Sequence, residues 1–333
     1  PALHATDLKL SEALRDGAAQ AGSSLHRNRL RAALVVAEVA VSIVLLVGTG
    51  LFLRSFFRIV EAGRTLRTDG VLTTQLLLPY ASHPTDADKL GYFRQLLPQL
   101  RALPGVQAVS AVGLLPLNRN NNTNVVVSSR QPDLSATEAP RTNFSPAYPG
   151  YFSLIGIPLL KGRDFRDSDD EKSARVAIVN QSLAKRLWPG REPVGERLKF
   201  LGQPDSIGWW TVVGVVRDVA QNVEGDNVRE AVFVPHAQNA DQTMTLLLRS
   251  NRDPGSLAAD VRRVVRTLHG DAALYETRTL PEALKFAMWT RRLFTGLMSV
   301  FGVLALVIAG VGIYGVMAYS VAQRTHEIGI RMA

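Results

Sequence analysis

Hydrophobic and polar positions divide the chain into three regimes. Residues 32–53 and 293–321 are apolar almost without interruption; Glu38 is the one charged side chain in the first stretch and the second has none. A helix needs roughly 20 such residues to cross the hydrocarbon core of a bilayer. Both stretches are therefore predicted to span a membrane. Between them, short apolar runs of high β propensity predict strands and three-to-four spacing predicts helices.

The strand candidates are residues 71–78, 106–115, 125–128, 175–179, 209–219, 231–234, 243–250 and 273–276. Residues 86–103 read as an amphipathic helix carrying Leu90, Phe93, Leu96, Leu97 and Leu100, which Pro98 should bend or shorten. Shorter helices are expected over 181–188 and over 253–268, the latter opened by the Asp253-Pro254 pair. A helix beginning after Thr279, with Pro281 in its first turn and Glu282 behind it, is expected to run unbroken into the second span. Residues 148–165 form a compact turn-rich unit, and 118–124 and 131–140 read as loops. Two β-α-β-like pieces, 71–115 and 243–276, flank a β-rich insert. The predicted architecture is thus an α+β domain, split by a second lobe, between two transmembrane α-helices. Ahead of the first span, residues 7–16 read as a short amphipathic helix.

Charge changes this picture little. The formal net charge of the 333 residues is +9, but the basic residues are dispersed, which argues against nucleic acid as a partner. The densest cluster, Arg27, Arg29 and Arg31, directly precedes the first span, where basic side chains contact anionic lipid headgroups. Arg54, Arg58, Arg64 and Arg67 follow that span, so charge counting does not orient it. With no cysteine, the chain has no disulfide, thiolate metal site or cysteine nucleophile. Its six histidines are scattered singly, and no phosphate-binding loop, serine elbow or H-E-x-x-H pattern occurs. No catalytic, cofactor-binding or metal-binding residues are expected.

Three features need a physical reading. Glu38 is costly inside a span; a proton relay or substrate contact stands against interfacial snorkelling or pairing with Arg31. Gly310-Val-Gly-Ile-Tyr-Gly315 satisfies the dinucleotide-binding pattern, but it lies within an uncharged span and not between a strand and a helix. The better reading there takes Gly302, Ala305, Ala309 and Gly312 as one helical stripe that lets another helix approach closely. Finally, Asp164, Asp167, Asp169, Asp170 and Glu171 form an acidic run with Lys172 where a calcium loop counted from Asp167 would need glycine. It reads as a solvated loop.

Several separated segments carry a family resemblance. Leu30-Arg-Ala-Ala-Leu-Val-Val-Ala-Glu-Val-Ala-Val-Ser, Arg54-Ser-Phe, Gly150-Tyr-Phe-Ser-Leu-Ile-Gly-Ile-Pro-Leu-Leu-Lys-Gly-Arg-Asp-Phe and Val311-Gly-Ile-Tyr-Gly-Val-Met-Ala-Tyr-Ser-Val-Ala-Gln-Arg-Thr-His-Glu-Ile-Gly-Ile-Arg-Met-Ala occur in that order. Together they resemble MacB/FtsX-type permeases of ABC transporters, in particular the duplicated permeases typical of acidobacteria. The resemblance implies a multi-pass protein of the bacterial inner membrane with a large periplasmic domain. That domain would comprise a porter-like β-α-β lobe, about residues 54–140 and 236–285, and an inserted β-rich lobe, about 141–235. Residues 1–31 would be cytoplasmic, and 322–333 a truncated cytoplasmic coupling segment.

Such permeases are not enzymes. They transmit the motion of a separate ABC ATPase subunit to the periplasmic domain, for export or extraction. The resemblance places the ATPase-coupling surface on Arg324, Glu327, Ile328, Gly329 and Arg331. Membrane lipids, a second copy or paired permease half, and a periplasmic adaptor are its further candidate partners. A complete permease unit would continue through two more spans, so the chain is expected to be a fragment. The alternative is a two-span sensor or adaptor with a ligand-binding external domain.

Overall fold

The computed structural model describes residues 33–54, 66–116, 122–204, 207–219, 230–268 and 271–332. The helix expected over 7–16 and most of the 118–124 loop lie outside them. The chain divides into two compact units. One holds the two apolar helices, the first of which is α1 (Ala33–Arg54), and the other covers Phe57–Arg291.

In the larger unit, β1 (Val71–Leu77), α2 (Asp86–Arg101) and β2 (Val106–Val112) are followed, after a long insert, by β10 (Thr243–Ser250), α5 (Leu257–Leu268) and β11 (Ala273–Thr279). These four strands lie in the order β11-β1-β10-β2, with every neighbouring pair antiparallel. That is the β-α-β-β-α-β arrangement of a ferredoxin-like lobe. α2 and α5 cover one face, packing Phe93, Leu96, Leu100, Val261 and Val265 on Leu72, Leu76, Leu246 and Leu248. α2 starts as its sequence demands: Thr85 and Asp88 form a reciprocal capping box. Pro98 falls in the last turn, and the helix ends at Arg101, two residues earlier than expected.

The insert contains β3 (Thr123–Ser128), β4 (Arg141–Ala147), α3 (Tyr151–Ile155), β5 (Leu159–Gly162), β6 (Val176–Asn180), α4 (Gln181–Leu187), β7 (Arg197–Phe200), β8 (Trp210–Val216) and β9 (Ala231–Pro235). Six of its strands pair in a closed cycle, β4-β3-β7-β8-β6-β9, which the parallel β4–β9 pair completes. β5 joins as an extra strand on β8. The boundary expected near residue 141 is corrected: β3 pairs with β4 and β7, so the second lobe begins ahead of Thr123. β4, β5 and β7 were not expected as strands. β4 contains Asn143 and Pro146, and four-residue strands are too short to show a period.

Alternation along the ring strands separates two cores. Ala177 and Val179 of β6 and Val232 and Val234 of β9 point into the ring, against Trp188, Phe200 and Trp210. Val176 and Ile178, with Ala231 and Phe233, point the other way, into a core shared with the ferredoxin-like lobe. The centre of that shared core is α3, which supplies Tyr151, Phe152, Leu154 and Ile155. Its five residues are bounded by Gly150 (φ 80°) and Gly156 (φ 78°), both left-handed. The guanidinium of Arg249 donates to the carbonyls of Arg67, Asp69 and Leu154, and the Arg67 amide donates to Ile155 O at 2.8 Å.

The acidic run is more structured than a solvated loop. Arg163 holds the buried Asp169 through two hydrogen bonds of 2.7 and 2.8 Å. Burial opposes the Asp169 charge, yet the Arg163 hydrogen bonds bring its carboxyl below the usual range. Asp164 accepts from the amides of Gly150 and Phe165, so this segment also supports the start of α3.

α6 (Leu280–Ala287) begins after Thr279, as expected, and Thr279 and Glu282 form a reciprocal capping box there. The unbroken helix is corrected: α6 closes at Met288, and α7 (Trp289–Met332) starts one residue later. Leu280, Leu284 and Met288 all pack into the shared core.

Backbone geometry makes two glycines a test of this architecture. Gly162 (φ 73°) ends β5 where a Cβ would collide with the carbonyl of Val213, whereas Gly190 (φ 69°) has open space around it. Gly190→Ala should cost about 1–2 kcal/mol, the left-handed penalty alone. Gly162→Ala should cost at least about twice that, measured as the shift in the unfolding midpoint of the external unit.

Candidate functional site

α1 and α7 contain the two segments long and apolar enough to cross a bilayer, Ala33–Arg54 and Arg292–Ala318. Their less exposed positions recur at three- and four-residue spacing, Val35, Glu38, Ser42, Leu46, Thr49 and Leu53 on α1 and Thr295, Met298, Gly302, Ala305, Ala309 and Gly312 on α7. Such spacing is that of a left-handed helix pair.

Contacts along the seam run antiparallel. The Thr49 hydroxyl donates to Met298 O at 3.0 Å and to Leu45 O of its own helix at 2.8 Å. The Ser42 hydroxyl donates to Ala305 O at 3.2 Å. Small residues allow these approaches: a Cβ on Gly302 would stand 3.1 Å from Thr49 Oγ1. One on Gly312 would stand 2.7 and 2.9 Å from the two carboxyl oxygens of Glu38. Gly302 and Gly312 of the predicted stripe thus lie against Thr49 and Glu38 of α1, and Ala305 supplies the carbonyl that Ser42 reaches. A Cβ on Gly310 or Gly315, the outer glycines of the apparent dinucleotide motif, would meet nothing within 4 Å. Each interhelical hydrogen bond in a membrane contributes only about 0.6 kcal/mol, so close backbone packing carries much of the pairing.

Glu38 lies five residues into α1, about 7.5 Å along the axis from Ala33. Sequence reasoning identified the residue but not its seat on Gly312, which only the pairing of the two helices creates. Farther along, the backbone is helical as far as Met332. Arg324, Glu327, Ile328, Gly329 and Arg331 thus occupy the last turns of α7, and their side chains lie outside the described residues.

In the external unit, the two lobes meet around a ring cluster that the sequence did not reveal. His236 is 1% exposed and lies against Phe93 and Tyr148, with ring centroids 4.8 and 5.0 Å away. Its Nδ1 shares a 2.9 Å hydrogen bond with the Tyr148 hydroxyl, and Asp241 N–H donates to Nε2 at 3.1 Å. Above this cluster, Arg94 of α2 pairs with Glu171 of the acidic segment at 2.7 Å. Both ends of that pair are exposed, so its contribution is small. Among the described residues, no group of three or more His, Asp and Glu side chains could hold a metal ion.

The family model of the MacB-like periplasmic core domain matches residues 32–264. The chain belongs to that family. A probable export ATP-binding/permease protein MacB of Pseudomonas entomophila (strain L48) is 29% identical over 196 residues, covering 55% of this chain and 28% of that protein. The macrolide export ATP-binding/permease protein MacB of Neisseria gonorrhoeae (strain ATCC 700825 / FA 1090) is 25% identical over 193 residues, covering 55% of this chain and 29% of that protein. The matches thus span less than a third of the length of these curated relatives. The crystal structure of the periplasmic region of MacB from Actinobacillus actinomycetemcomitans aligns at a TM-score of 0.44 and 14% identity, covering 68% of this chain and 96% of that one. A MacB-like periplasmic domain with two apolar helices fits a membrane protein with a periplasmic domain.

Two outcomes follow for this MacB-like chain. Because it lacks cysteine, a Ser42→Cys/Ala305→Cys pair should form a disulfide cleanly. Gly302→Leu or Gly312→Leu should suppress that cross-link in membranes, while Gly310→Leu and Gly315→Leu leave it intact. Burial pushes the His236 imidazole down to about 4, from an ordinary value near 6.5. Between those values the unfolded chain binds a proton that the folded one does not, so this contribution is complete above pH 6.5 and lost as pH falls toward 4. The loss should be on the order of 3 kcal/mol. His236→Gln should lower stability at neutral pH and flatten that dependence, as read from unfolding midpoints across the pH range.

Proposed function

We propose that this chain is part of a non-catalytic, multi-pass permease subunit of an ABC-type transporter or mechanotransmission complex in the bacterial inner membrane. It couples the ATP-driven motion of a separate ATPase subunit to the periplasmic domain, for export or extraction. The observation that carries this reading is α7: 44 continuous helical residues, from Trp289 through the apolar span to Met332. At 1.5 Å per residue it is about 66 Å long, roughly twice the hydrocarbon thickness of a bilayer. A helix of that length transmits displacement along its axis because every backbone hydrogen bond in it is internal. It is preceded, across Met288, by α6, whose Leu280 and Leu284 sit in the core shared by the two lobes.

In this reading, Arg324, Glu327 and Arg331 supply charges and Ile328 an apolar contact for the ATPase, with Gly329 allowing close approach. The α1–α7 seam keeps the two spans moving together. Membrane lipids surround the exposed apolar faces, and a second copy or paired permease half and a periplasmic adaptor complete the assembly.

The test is association. In the full permease expressed with its ABC ATPase, Glu327→Lys should reduce ATPase co-purification at least fivefold without altering membrane insertion. Unchanged co-purification removes the coupling assignment.

A further inference from the structure

A concave surface lies beside α4 of the inserted lobe. β5, α4 and the turn Trp188-Pro-Gly-Arg191 border a half-open hollow of about 560 Å³. Its apolar lining includes Leu160, Ala184, Trp188 and Val215, and its charged lining is Lys161, Lys185 and Arg191. No carboxylate lines it. Lys161 is bound to Glu192 at 2.6 Å, but neither Lys185 nor Arg191 has a carboxylate partner among the described residues. Ordinary protein surface intersperses charges of both signs, so an apolar hollow with two unmatched cations at its rim is selective.

A further observation bears on an occupant. In β5, Leu159 and Leu160 are 39% and 41% exposed, and among the described residues the strand pairs with β8 alone. Leu160 is thus held open to solvent at a hollow whose volume lies within the usual range for small-molecule sites.

We propose that this hollow binds a small amphipathic anion. Its apolar body would lie over Leu160, Ala184 and Val215, and its anionic group would be held by Lys185 and Arg191. A neutral apolar molecule leaves both cations unmatched, and a cationic one is repelled by them. The site does not depend on the transport reading: it requires only the folded ring.

The experiment uses the full chain in lipid nanodiscs, with empty nanodiscs as the blank. Hexyl phosphate is the probe, and hexylammonium and hexanol are the controls. Calorimetric titration measures affinity, and saturation transfer to the hexyl protons reports contact of the apolar body. Hexyl phosphate should bind above the blank and at least tenfold more tightly than either control. Lys185→Gln/Arg191→Gln, which changes two exposed side chains, should weaken it at least tenfold with an unchanged unfolding midpoint. Leu160→Glu should weaken it likewise. Absence of binding above the blank, equal binding of hexylammonium, or unchanged affinity in the double variant would each overturn the proposal.

Discussion

Burial of α3 between two lobes is the constraint on which the external unit depends. Five residues cannot hold a helix by themselves, because a short helix satisfies few of its own backbone groups. Here the tertiary structure supplies the missing partners. Gly150 and Gly156 turn the chain in and out, Asp164 accepts an amide ahead of the helix, and Arg249 donates to Leu154 O. Tyr151 and Phe152 then meet Phe233, with centroids 6.1 and 5.0 Å away, so a strand of the ring and the short helix share one packed cluster. The strands around it have apolar residues on both faces because they separate this core from the one inside the ring.

The same core receives α6, and this gives the fold a mechanical consequence. Leu280, Leu284 and Met288 pack into the cluster that joins the lobes. Protein interiors are close-packed and respond to a displaced side chain by shifting its neighbours. α6 is therefore part of the lobe junction. The His236–Tyr148–Phe93 cluster adds a second, hydrogen-bonded tie between elements of both lobes.

The helix pair obeys different physics. Apolar side chains gain little by leaving lipid for one another, so association depends on close approach and on hydrogen bonds across the seam. Gly302, Ala305 and Gly312 remove bulk opposite Thr49, Ser42 and Glu38, and polar atoms on α1 then reach backbone carbonyls on α7. The carboxyl of Glu38 rests where any larger residue at position 312 would stand. Its cost inside a span is thereby tied to the register of two helices.

Much of this protein was legible in its residues alone. Long uncharged runs predict spans, since no soluble surface needs them, and the Thr279–Glu282 and Asp253–Pro254 pairs mark helix starts by local hydrogen-bonding chemistry. The two β-α-β pieces of the first lobe were visible as long periodic elements, but not their order in one sheet. What escaped depends on distant partners. β4 is polar and contains Pro146, yet it is a strand because β3 and β9 flank it; β5 and β7 are too short to carry a period. Asp169 looks solvated in sequence and is buried because Arg163 accompanies it, and Met288 interrupts a helical run because the shared core takes it in. The sequence by itself determined which segments are apolar, periodic or capped, because those properties depend on neighbouring residues. Ring closure and the seat of Glu38 were decided only by tertiary structure, because each depends on groups brought together from far apart in the chain.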